Sequence, residues 1–256
     1  MDPNTRISAA LRRSMDRATG SACPPGLAAA MDHAVFPGGH RVRPRLALAV
    51  ALAQGHGDSP VVDPALISIE LLHCASLVHD DMPCFDDAPM RRGKPTVHLA
   101  YGEPLALLCG DALIVLAFQE LGRAALLAPR RSARVLNIIS EGVGAPVGIV
   151  AGQSWECEPE VPAREYQRAK TGSLFAAATM AGAAAAGADP APWRELGECI
   201  GEAYQIADDL LDHCGDPEVI GKPIGQDLSL IHISEPTRPR LVSRMPSSAC
   251  KGGGGG

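Results

Sequence analysis

The chain has 256 residues, of which 46% are hydrophobic and 20% are charged, and its formal net charge is −6 at pH 7. A soluble chain of this size can bury a large core, either as one domain or as two small ones. The acidic balance provides no basic surface excess, so nucleic-acid binding is not expected. An anionic substrate would therefore need a local cluster of cations or a bound metal ion.

Three features of the sequence favour the cytoplasm and argue against an integral membrane segment. The N-terminal sequence MDPNTRISAALRRSMDR lacks the apolar centre of a signal peptide. The eight cysteines form no CxxC pair, and we expect free thiols in a reducing compartment. The apolar stretch LALLCGDALIVLAF is interrupted by Asp111, whereas a membrane span needs about 20 apolar residues.

Helix-forming sequence accounts for most of the first 213 residues. Aromatic residues make up only 4% of the chain, alanine and leucine are frequent, and alternating β-branched runs are missing. We predict helices at residues 5–19, 26–35, 42–54, 64–82, 103–123, 130–150, 163–187 and 190–213. The fourth helix begins with Asp63 as a cap and Pro64 at its first position, and Pro83 ends it. The sequence therefore predicts an all-α fold.

The end of the chain differs from the rest. From Ser229 the sequence SLIHISEPTRPRLVSRMPSSACKGGGGG has three prolines, a run of five glycines and no helical period. We expect residues 229–256 to be a disordered or non-native tail, and residues 1–228 to form the folded domain.

Two groups of aspartates interrupt the apolar helices: Asp80, Asp81 and Asp86 in HDDMPCFDD, and Asp208, Asp209 and Asp212 in YQIADDLLD. Pro83 breaks the first helix, so the chain can bend and return Asp86 to the side of Asp80. In the second group, residues 208 and 212 lie one turn apart on the same helix face. Each group therefore concentrates negative charge in one place.

Carboxylates this close together repel each other unless a cation lies among them. A single group of this kind is usually a solvated helix face, but two groups that both adjoin apolar sequence favour a metal site. Carboxylate oxygens, with only His79 nearby as an imidazole, suit Mg²⁺ better than Zn²⁺. Because Mg²⁺ completes its shell with water and phosphate oxygens, the sequence predicts a diphosphate bound between the two acidic helices.

Six segments, in the same order along the chain, resemble the trans-type isoprenyl diphosphate synthases, or polyprenyl synthetases. They are FPGGHRVRPRL (36–46), LLHCASLVHDDMPCFDDAPMRRGKPTVHLAYGEPLALLCGDAL (71–113), GIVAGQ (148–153), KTGSLF (170–175), YQIADDLLD (204–212) and GKPIGQD (221–227). The resemblance is greatest to bacterial members that make geranylgeranyl diphosphate. It implies the isoprenoid synthase fold, a single-domain bundle of about ten helices around a central cavity, with residues 1–228 C-terminally truncated relative to the family.

The resemblance implies a Mg²⁺-dependent prenyltransferase that condenses isopentenyl diphosphate with dimethylallyl, geranyl or farnesyl diphosphate. It implies three Mg²⁺ ions per active site, which the six aspartates hold on the allylic diphosphate. The other residues implied to bind the allylic diphosphate are Arg91, Lys170, Gln205 and Lys222. The residues implied to bind isopentenyl diphosphate are Arg43, His73 and Arg92, together with His40, which stands where many relatives have lysine.

The implied reaction needs no side-chain nucleophile. The allylic C–O bond breaks because metal ions and cationic side chains stabilise the departing diphosphate in a water-poor cavity. The double bond of isopentenyl diphosphate then attacks the allylic cation, and a proton is lost. Thr171 and Gln205 are implied to lie near this cation, and backbone carbonyls at a helix break after Lys170 could add negative dipoles there. A simple helix kink at residues 170–172 is the alternative interpretation.

Product length is implied to depend on the helix that precedes the first aspartate group. Ala75 and Ser76, five and four residues before Asp80, are small, whereas an aromatic side chain there would stop a short hydrocarbon. We therefore predict a C20 product, geranylgeranyl diphosphate, with the C15 farnesyl diphosphate second. The alternative is that Ala75 is merely a small residue at a helix contact.

Three other functions are compatible with parts of the sequence. A terpene cyclase would share the fold and the aspartates, but Arg43, His73 and Arg92 indicate a second diphosphate site that it does not need. An HD-type phosphohydrolase would fit the pair His79 and Asp80 but leaves the second acidic group unexplained. An inactive regulatory subunit predicts damaged aspartate groups, and both are intact.

Two further expectations come from the resemblance. It implies a homodimer formed through helices such as residues 103–123, although the apolar residues from Leu105 to Phe118 are equally well explained as core. Glu156 stands where an aspartate is common in the family.

Overall fold

The computed structural model describes residues 2–36, 39–160 and 163–214, apart from the side chains of residues 163, 164, 209 and 211–214. This part of the chain forms eleven α-helices: α1 Pro3–Ala18, α2 Pro25–Val35, α3 Val42–Ala53, α4 Val62–Asp80, α5 Val97–Tyr101, α6 Glu103–Ala125, α7 Pro129–Val143, α8 Ile149–Trp155, α9 Ala163–Gln167, α10 Ser173–Ala186 and α11 Trp193–Cys214. A π-helical turn, Arg168–Gly172, joins α9 to α10, and β1 (Met90–Arg91) pairs antiparallel with β2 (Lys94–Pro95). The predicted all-α fold is confirmed.

The central helix of the bundle is α4, which packs against α1, α2, α3, α6, α7 and α10. Most of its residues are buried on every side, as is typical of a helix inside a core. In its second half, His73, Ser76, Leu77 and Asp80 are only half-buried. Their spacing of three and four residues places them on one face of the helix. This face leads directly to the first aspartate group.

Small residues in α10 allow α3 and α11 to pack closely against it. The sequence of α10, SLFAAATMAGAAAA, is buried along almost its whole length. A Cβ atom at Gly182 would lie 2.3 Å from the carbonyl oxygen of Ala47 in α3. A Cβ atom at Gly197 of α11 would lie 2.5 Å from the Cα atom of Ala176. These glycines therefore bring two helices that carry predicted site residues against the same neighbour.

Two predicted helices are divided in the structure. The helix predicted at 130–150 is two helices, α7 and α8, because Gly144, Pro146 and Gly148 interrupt it. The helix predicted at 163–187 contains the π-helical turn and so forms α9 and α10. The sequence prediction also missed α5 and the β1–β2 hairpin, since elements of five and two residues are too short to show a period.

The predicted start of α4 is wrong in detail. The helix begins at Val62, and the side chain of Asp63 does not cap it. The Asp63 carboxylate instead accepts a hydrogen bond from Nε of Arg6 in α1, at 2.7 Å. A contact between distant parts of the chain has therefore replaced the expected local one.

Both α4 and α6 are long and apolar enough to cross a membrane, judged by length and composition alone. In α4, 67% of the most apolar window is buried inside the protein, and in α6 the share is 44%. The large buried share of α4 is typical of a helix in the core of a protein. The six cysteines whose side chains the structure describes are free, as expected: Cys23, Cys74, Cys84, Cys109, Cys157 and Cys199.

Candidate active site

The first aspartate group lies on a tight turn that follows α4. The backbone NH of Asp86 donates to the carbonyl oxygen of Asp80 at 3.0 Å, so the chain returns after Pro83 as predicted. Carboxylate oxygens of Asp80, Asp86 and Glu156 all lie within 4.8 Å of one another. Burial and the negative charge of Asp80 raise the pKa of Asp86 to about 6. Three carboxylates from two separate segments therefore meet here, and the two predicted ligands among them, Asp80 and Asp86, are close enough to bind one cation.

Asp81 is oriented differently from its two predicted partners. Its carboxylate is buried and accepts hydrogen bonds from Nε of Arg91 at 2.9 and 3.1 Å. A second guanidinium nitrogen of Arg91 lies 3.9 Å from Asp80. Arg91 is thus held at the edge of the acidic group by Asp81, which itself lies outside the group of three carboxylates.

The β1–β2 hairpin places the two adjacent arginines in different directions. Arg92 and Gly93 form its two-residue turn, with φ angles of 53° and 74°. Two positive φ angles are typical of a type I′ turn, and an arginine in this conformation is strained. A Cβ atom on Gly39 would lie 3.1 Å from Nε of Arg92, so this side chain packs on the loop that precedes α3. The strained turn therefore places the Arg92 side chain against the segment that carries His40, while Arg91 pairs with Asp81.

Lys170 lies in the π-helical turn and bridges two of the carboxylates. Its ammonium group donates to Glu156 at 2.6 Å and to Asp80 at 3.3 Å. Burial alone would lower the pKa of Lys170, but attraction to Asp80, Tyr166 and Glu156 outweighs it and raises the pKa. The predicted break in the helix is a π-helical turn, a form that occurs frequently at functional sites.

The position of α8 explains how Glu156 reaches this group. A Cβ atom at Gly152 would lie 2.5 Å from the backbone nitrogen of Lys170, so α8 and the π-helical turn are in backbone contact. The side-chain amide of Gln153 donates to Asp80 at 2.7 Å and to Glu156 at 3.1 Å. The sequence analysis did not identify Gln153 or Glu156 as site residues. The segment GIVAGQ and the acidic residue after it were the available signals.

Arg43 of α3 and His73 of α4 form a second polar group. His73 lies on the half-buried face of α4. Nη1 of Arg43 lies 3.2 Å from Nε2 of His73, and the guanidinium stacks over the ring of Phe175 at 4.5 Å from its centroid. Burial, with the positive charges of Arg43 and Arg92, lowers the pKa of His73 well below its usual value. His73 is therefore neutral, and its Nε2 accepts the hydrogen bond. Nε of Arg43 is buried and has no hydrogen-bond partner within the part of the chain that the structure describes.

Asp208, the one member of the second aspartate group whose side chain the structure describes, follows a residue of α11 that contacts the π-helical turn. The hydroxyl of Thr171 donates to Gln205 of α11 at 2.7 Å, and its neighbour Lys170 contacts Asp80. Asp208 lies one turn after Gln205 and is half-buried. Burial lowers the pKa of Arg43, and the charge of Asp208 opposes that shift, so these two side chains are near each other.

The remaining predicted site residues are placed as follows. Ser76 shares the half-buried face of α4, whereas Ala75 is 1% exposed and belongs to the core. His40 is exposed. His79 packs against Gly110 of α6 and lies 3.3 Å from the carbonyl oxygen of Leu107, outside the acidic group. The side chains of Asp209 and Asp212, all of Lys222 and the predicted boundary at residue 228 lie outside the described residues.

The family model described as polyprenyl synthetase matches residues 24–244. The chain belongs to this family. It is 54% identical over 222 residues to a geranylgeranyl diphosphate synthase of Cereibacter sphaeroides, covering 87% of this chain and 77% of the relative. It is 39% identical over 248 residues to a farnesyl diphosphate synthase of Geobacillus stearothermophilus, covering 93% and 81%.

Solved structures of the family share the fold. A geranyltransferase from Helicobacter pylori, crystallised with magnesium and isoprenyl diphosphate, superposes with a TM-score of 0.72 at 30% identity and covers 89% of this chain and 81% of that one. The predicted family, the isoprenoid synthase fold and the enzyme class, a prenyl diphosphate synthase, are confirmed. The roles of individual residues stay predictions.

Proposed function

We propose that this prenyltransferase condenses isopentenyl diphosphate with an allylic diphosphate and releases mainly a C20 prenyl diphosphate, with C15 second. The chain of contacts from Asp80 through Lys170 and Thr171 to Gln205 carries this proposal. It supports the view that both aspartate-containing helices border one reaction site. A diphosphate bound there would meet carboxylates, cations and an amide within a few ångströms.

The carboxylates of this site fit magnesium. Their ligand atoms are all oxygens, and burial together with the negative charge of Asp80 raises the pKa of Asp86, a combination that a bound cation would offset. Asp80, Asp86 and Asp208 would hold these ions, up to three in number. The predicted metal roles of Asp81, Asp209 and Asp212 stay predictions, because Asp81 is paired with Arg91 and the other two side chains lie outside the described residues. When bound, magnesium neutralises charge on the diphosphate of the allylic substrate and so favours its departure.

The cationic side chains divide between the two substrates in this proposal. Arg91, Lys170 and Lys222, with Gln205, bind the allylic diphosphate. Arg43, His73, Arg92 and His40 bind isopentenyl diphosphate. Nε of Arg43 supports this division, because a buried donor that has no partner among the described residues is available to a phosphate oxygen.

The chemistry then needs only orientation and charge. The allylic C–O bond breaks and its electron pair leaves with the diphosphate, whose charge Lys170 and Arg91 stabilise. The double bond of isopentenyl diphosphate attacks the allylic carbon, and the new cation loses a proton to the released diphosphate. Thr171 and Gln205 place oxygen atoms beside the developing allylic cation.

Product length is proposed to depend on Ala75 and Ser76. Replacing Ala75 by tyrosine should shorten the product from C20 to C15 or C10, as measured by chromatography of dephosphorylated products. Because Ala75 is 1% exposed, the melting temperature must be measured as well, since an overpacked core would be destabilised. Ser76→Phe, on the half-buried face, is the matched variant. An unchanged product spectrum in both stable variants would contradict this assignment.

A homodimer formed through α6 is also proposed. Leu107, Leu108 and Val115 of this helix have exposed fractions of 49%, 52% and 55%. Exposed apolar side chains on one helix support an interface with a second copy. The predicted cytoplasmic location stays a prediction.

The experiment that tests the proposed function is incubation with Mg²⁺, farnesyl diphosphate and labelled isopentenyl diphosphate. We expect a labelled C20 diphosphate. A cyclised hydrocarbon would indicate a terpene cyclase, and released phosphate alone would indicate a phosphohydrolase. No product from folded protein would favour a regulatory subunit and contradict the proposal.

A further inference from the structure

Tyr166 is a buried residue next to the acidic group, and neither the aspartate motifs nor the proposed roles account for it. It lies in α9, four residues before Lys170, and only 5% of its surface is exposed. Its hydroxyl donates to Oε1 of Glu156 at 2.5 Å. The ammonium group of Lys170 lies 5.6 Å from the centroid of its ring. A phenol is protonated at neutral pH, since its ordinary pKa is about 10, so the hydroxyl is available as a donor.

The carboxylate of Glu156 is held by three donors. Oε1 accepts from Tyr166 and from Lys170, and Oε2 accepts from Gln153. A carboxylate with hydrogen bonds to both oxygens has a fixed orientation. Its direction in turn determines where the ammonium group of Lys170 lies.

Glu156 and Asp80 hold the ammonium group of Lys170 from two sides, but they are not equivalent. The distance to Glu156 is 2.6 Å and the distance to Asp80 is 3.3 Å. Asp80 is also the residue proposed to bind a divalent cation, and a cation on its carboxylate weakens its attraction for Lys170. Glu156, fixed by Tyr166, is the stronger anchor in either case.

We propose that Tyr166 and Glu156 are positioning residues that fix the ammonium group of Lys170 where the diphosphate of the allylic substrate binds. This inference rests on the proposed function. Tyr166 acts only through Glu156, and Glu156 acts through Lys170. The group formed by Arg43 and His73 shares no hydrogen bond with Tyr166 or Glu156 among the described contacts. Changes at Tyr166 or Glu156 should therefore weaken the binding of the allylic substrate and leave that of isopentenyl diphosphate unchanged.

The first test is Tyr166→Phe, which removes one hydroxyl and keeps the ring. We expect the KM for farnesyl diphosphate to rise about three- to tenfold, because a charge-assisted hydrogen bond has been lost. The KM for isopentenyl diphosphate should stay unchanged. Tyr101→Phe is the matched control, since Tyr101 lies in α5 and packs on His33, and it should change neither value. An equal rise in both KM values for Tyr166→Phe would overturn the proposal, because it would indicate a general disturbance.

The second test is a double-mutant cycle with Glu156→Gln, which keeps the side-chain shape and removes the charge. Two residues that act through the same ammonium group should be non-additive. We expect the double variant to have the same KM for farnesyl diphosphate as Glu156→Gln alone. Multiplied effects of the two single changes would show that Tyr166 acts independently and would overturn the proposal.

A binding measurement separates this inference from the proposed function. Calorimetry with inorganic diphosphate and Mg²⁺ does not depend on turnover. Weaker binding by Tyr166→Phe than by the wild type or Tyr101→Phe supports the inference even if the wild type forms no prenyl product. Equal binding by all three proteins overturns it, whatever the outcome of the elongation assay.

Discussion

The two diphosphate-binding sides of the site are built on different physical principles. On the allylic side, the cations are already paired with carboxylates: Arg91 with Asp81, and Lys170 with Asp80 and Glu156. On the isopentenyl side, Arg43 hydrogen-bonds to a neutral imidazole, that of His73, and stacks on an aromatic ring. On the first side each cation is hydrogen-bonded to a carboxylate, whereas on the second the hydrogen-bond partner of Arg43 is neutral and its buried Nε is an open donor among the described residues.

This difference indicates how each substrate is bound. A diphosphate on the allylic side must share space with carboxylates, so it needs divalent cations to remove the repulsion. A diphosphate on the isopentenyl side can bind directly to guanidinium groups. We therefore expect only the binding of the allylic substrate to depend on the metal ion. Four experiments test this difference between the two sides.

The largest expected effect follows from Asp80→Asn. Loss of this carboxylate removes a proposed metal ligand and one contact of Lys170, and we expect turnover to fall about a hundredfold or more. Calorimetry should show that Mg²⁺-dependent binding of farnesyl diphosphate is lost while isopentenyl diphosphate still binds. Asp16→Asn, at an exposed position of α1, is the control and should behave as wild type. Parallel loss of both substrates in a folded variant would contradict the separation of the two sides.

Gly152→Ala should have the next largest effect. The added Cβ would lie 2.5 Å from the backbone nitrogen of Lys170, so α8 must move away from the π-helical turn. We expect kcat/KM for the allylic substrate to fall about tenfold or more, because small displacements of a charge-binding group are costly to catalysis. Gly122→Ala on α6 is the control, since no atom of residues 2–36, 39–160 or 163–214 that the structure describes lies within 4 Å of an added Cβ. Full activity of Gly152→Ala would show that this backbone contact does not matter.

The sequence was sufficient for the parts of the site that depend on local rules. Proline at position 83 and the spacing of Asp80 and Asp86 predict the returning turn, and the structure has it. The helical period places Ser76 on the same face as Asp80, which the burial pattern also shows. The turn and the helix face could therefore be predicted, because a few residues that are close in sequence determine each of them.

The sequence could not predict contacts between distant segments. Gln153 reaches Asp80 across 73 positions and Lys170 reaches it across 90, and no period relates such residues. The same reason explains why Asp63 bonds to Arg6 and does not cap α4. The break between α7 and α8 could have been predicted from Gly144 and Pro146. It was missed because the apolar pattern on both sides favoured one continuous helix.

The third experiment varies pH. The raised pKa of Asp86, about 6, means that the carboxylate is ionised above that value and takes up a proton below it. Because Mg²⁺ must displace this proton, its apparent affinity should fall by up to about tenfold per pH unit below pH 6. A Mg²⁺ titration of activity between pH 5 and pH 8 measures this, and Asp86→Asn should lack the slope. A flat affinity in the wild type would contradict a metal role for Asp86.

The smallest expected effect concerns the isopentenyl side. His40 is exposed and follows Gly39, on which the Arg92 side chain packs, and the family resemblance implies a lysine in its place. A lysine presents a charged ammonium group on a longer and more flexible stem than the histidine ring, so it can reach a phosphate oxygen from this loop. We therefore expect His40→Lys to lower the KM for isopentenyl diphosphate about two- to threefold at pH 8, as an exposed ionic contact allows. The KM for farnesyl diphosphate and the Mg²⁺ requirement should not change, because His40 lies outside the carboxylate group. A shift in the Mg²⁺ requirement would mean that the two sides share their charges, and the contrast between them would no longer hold.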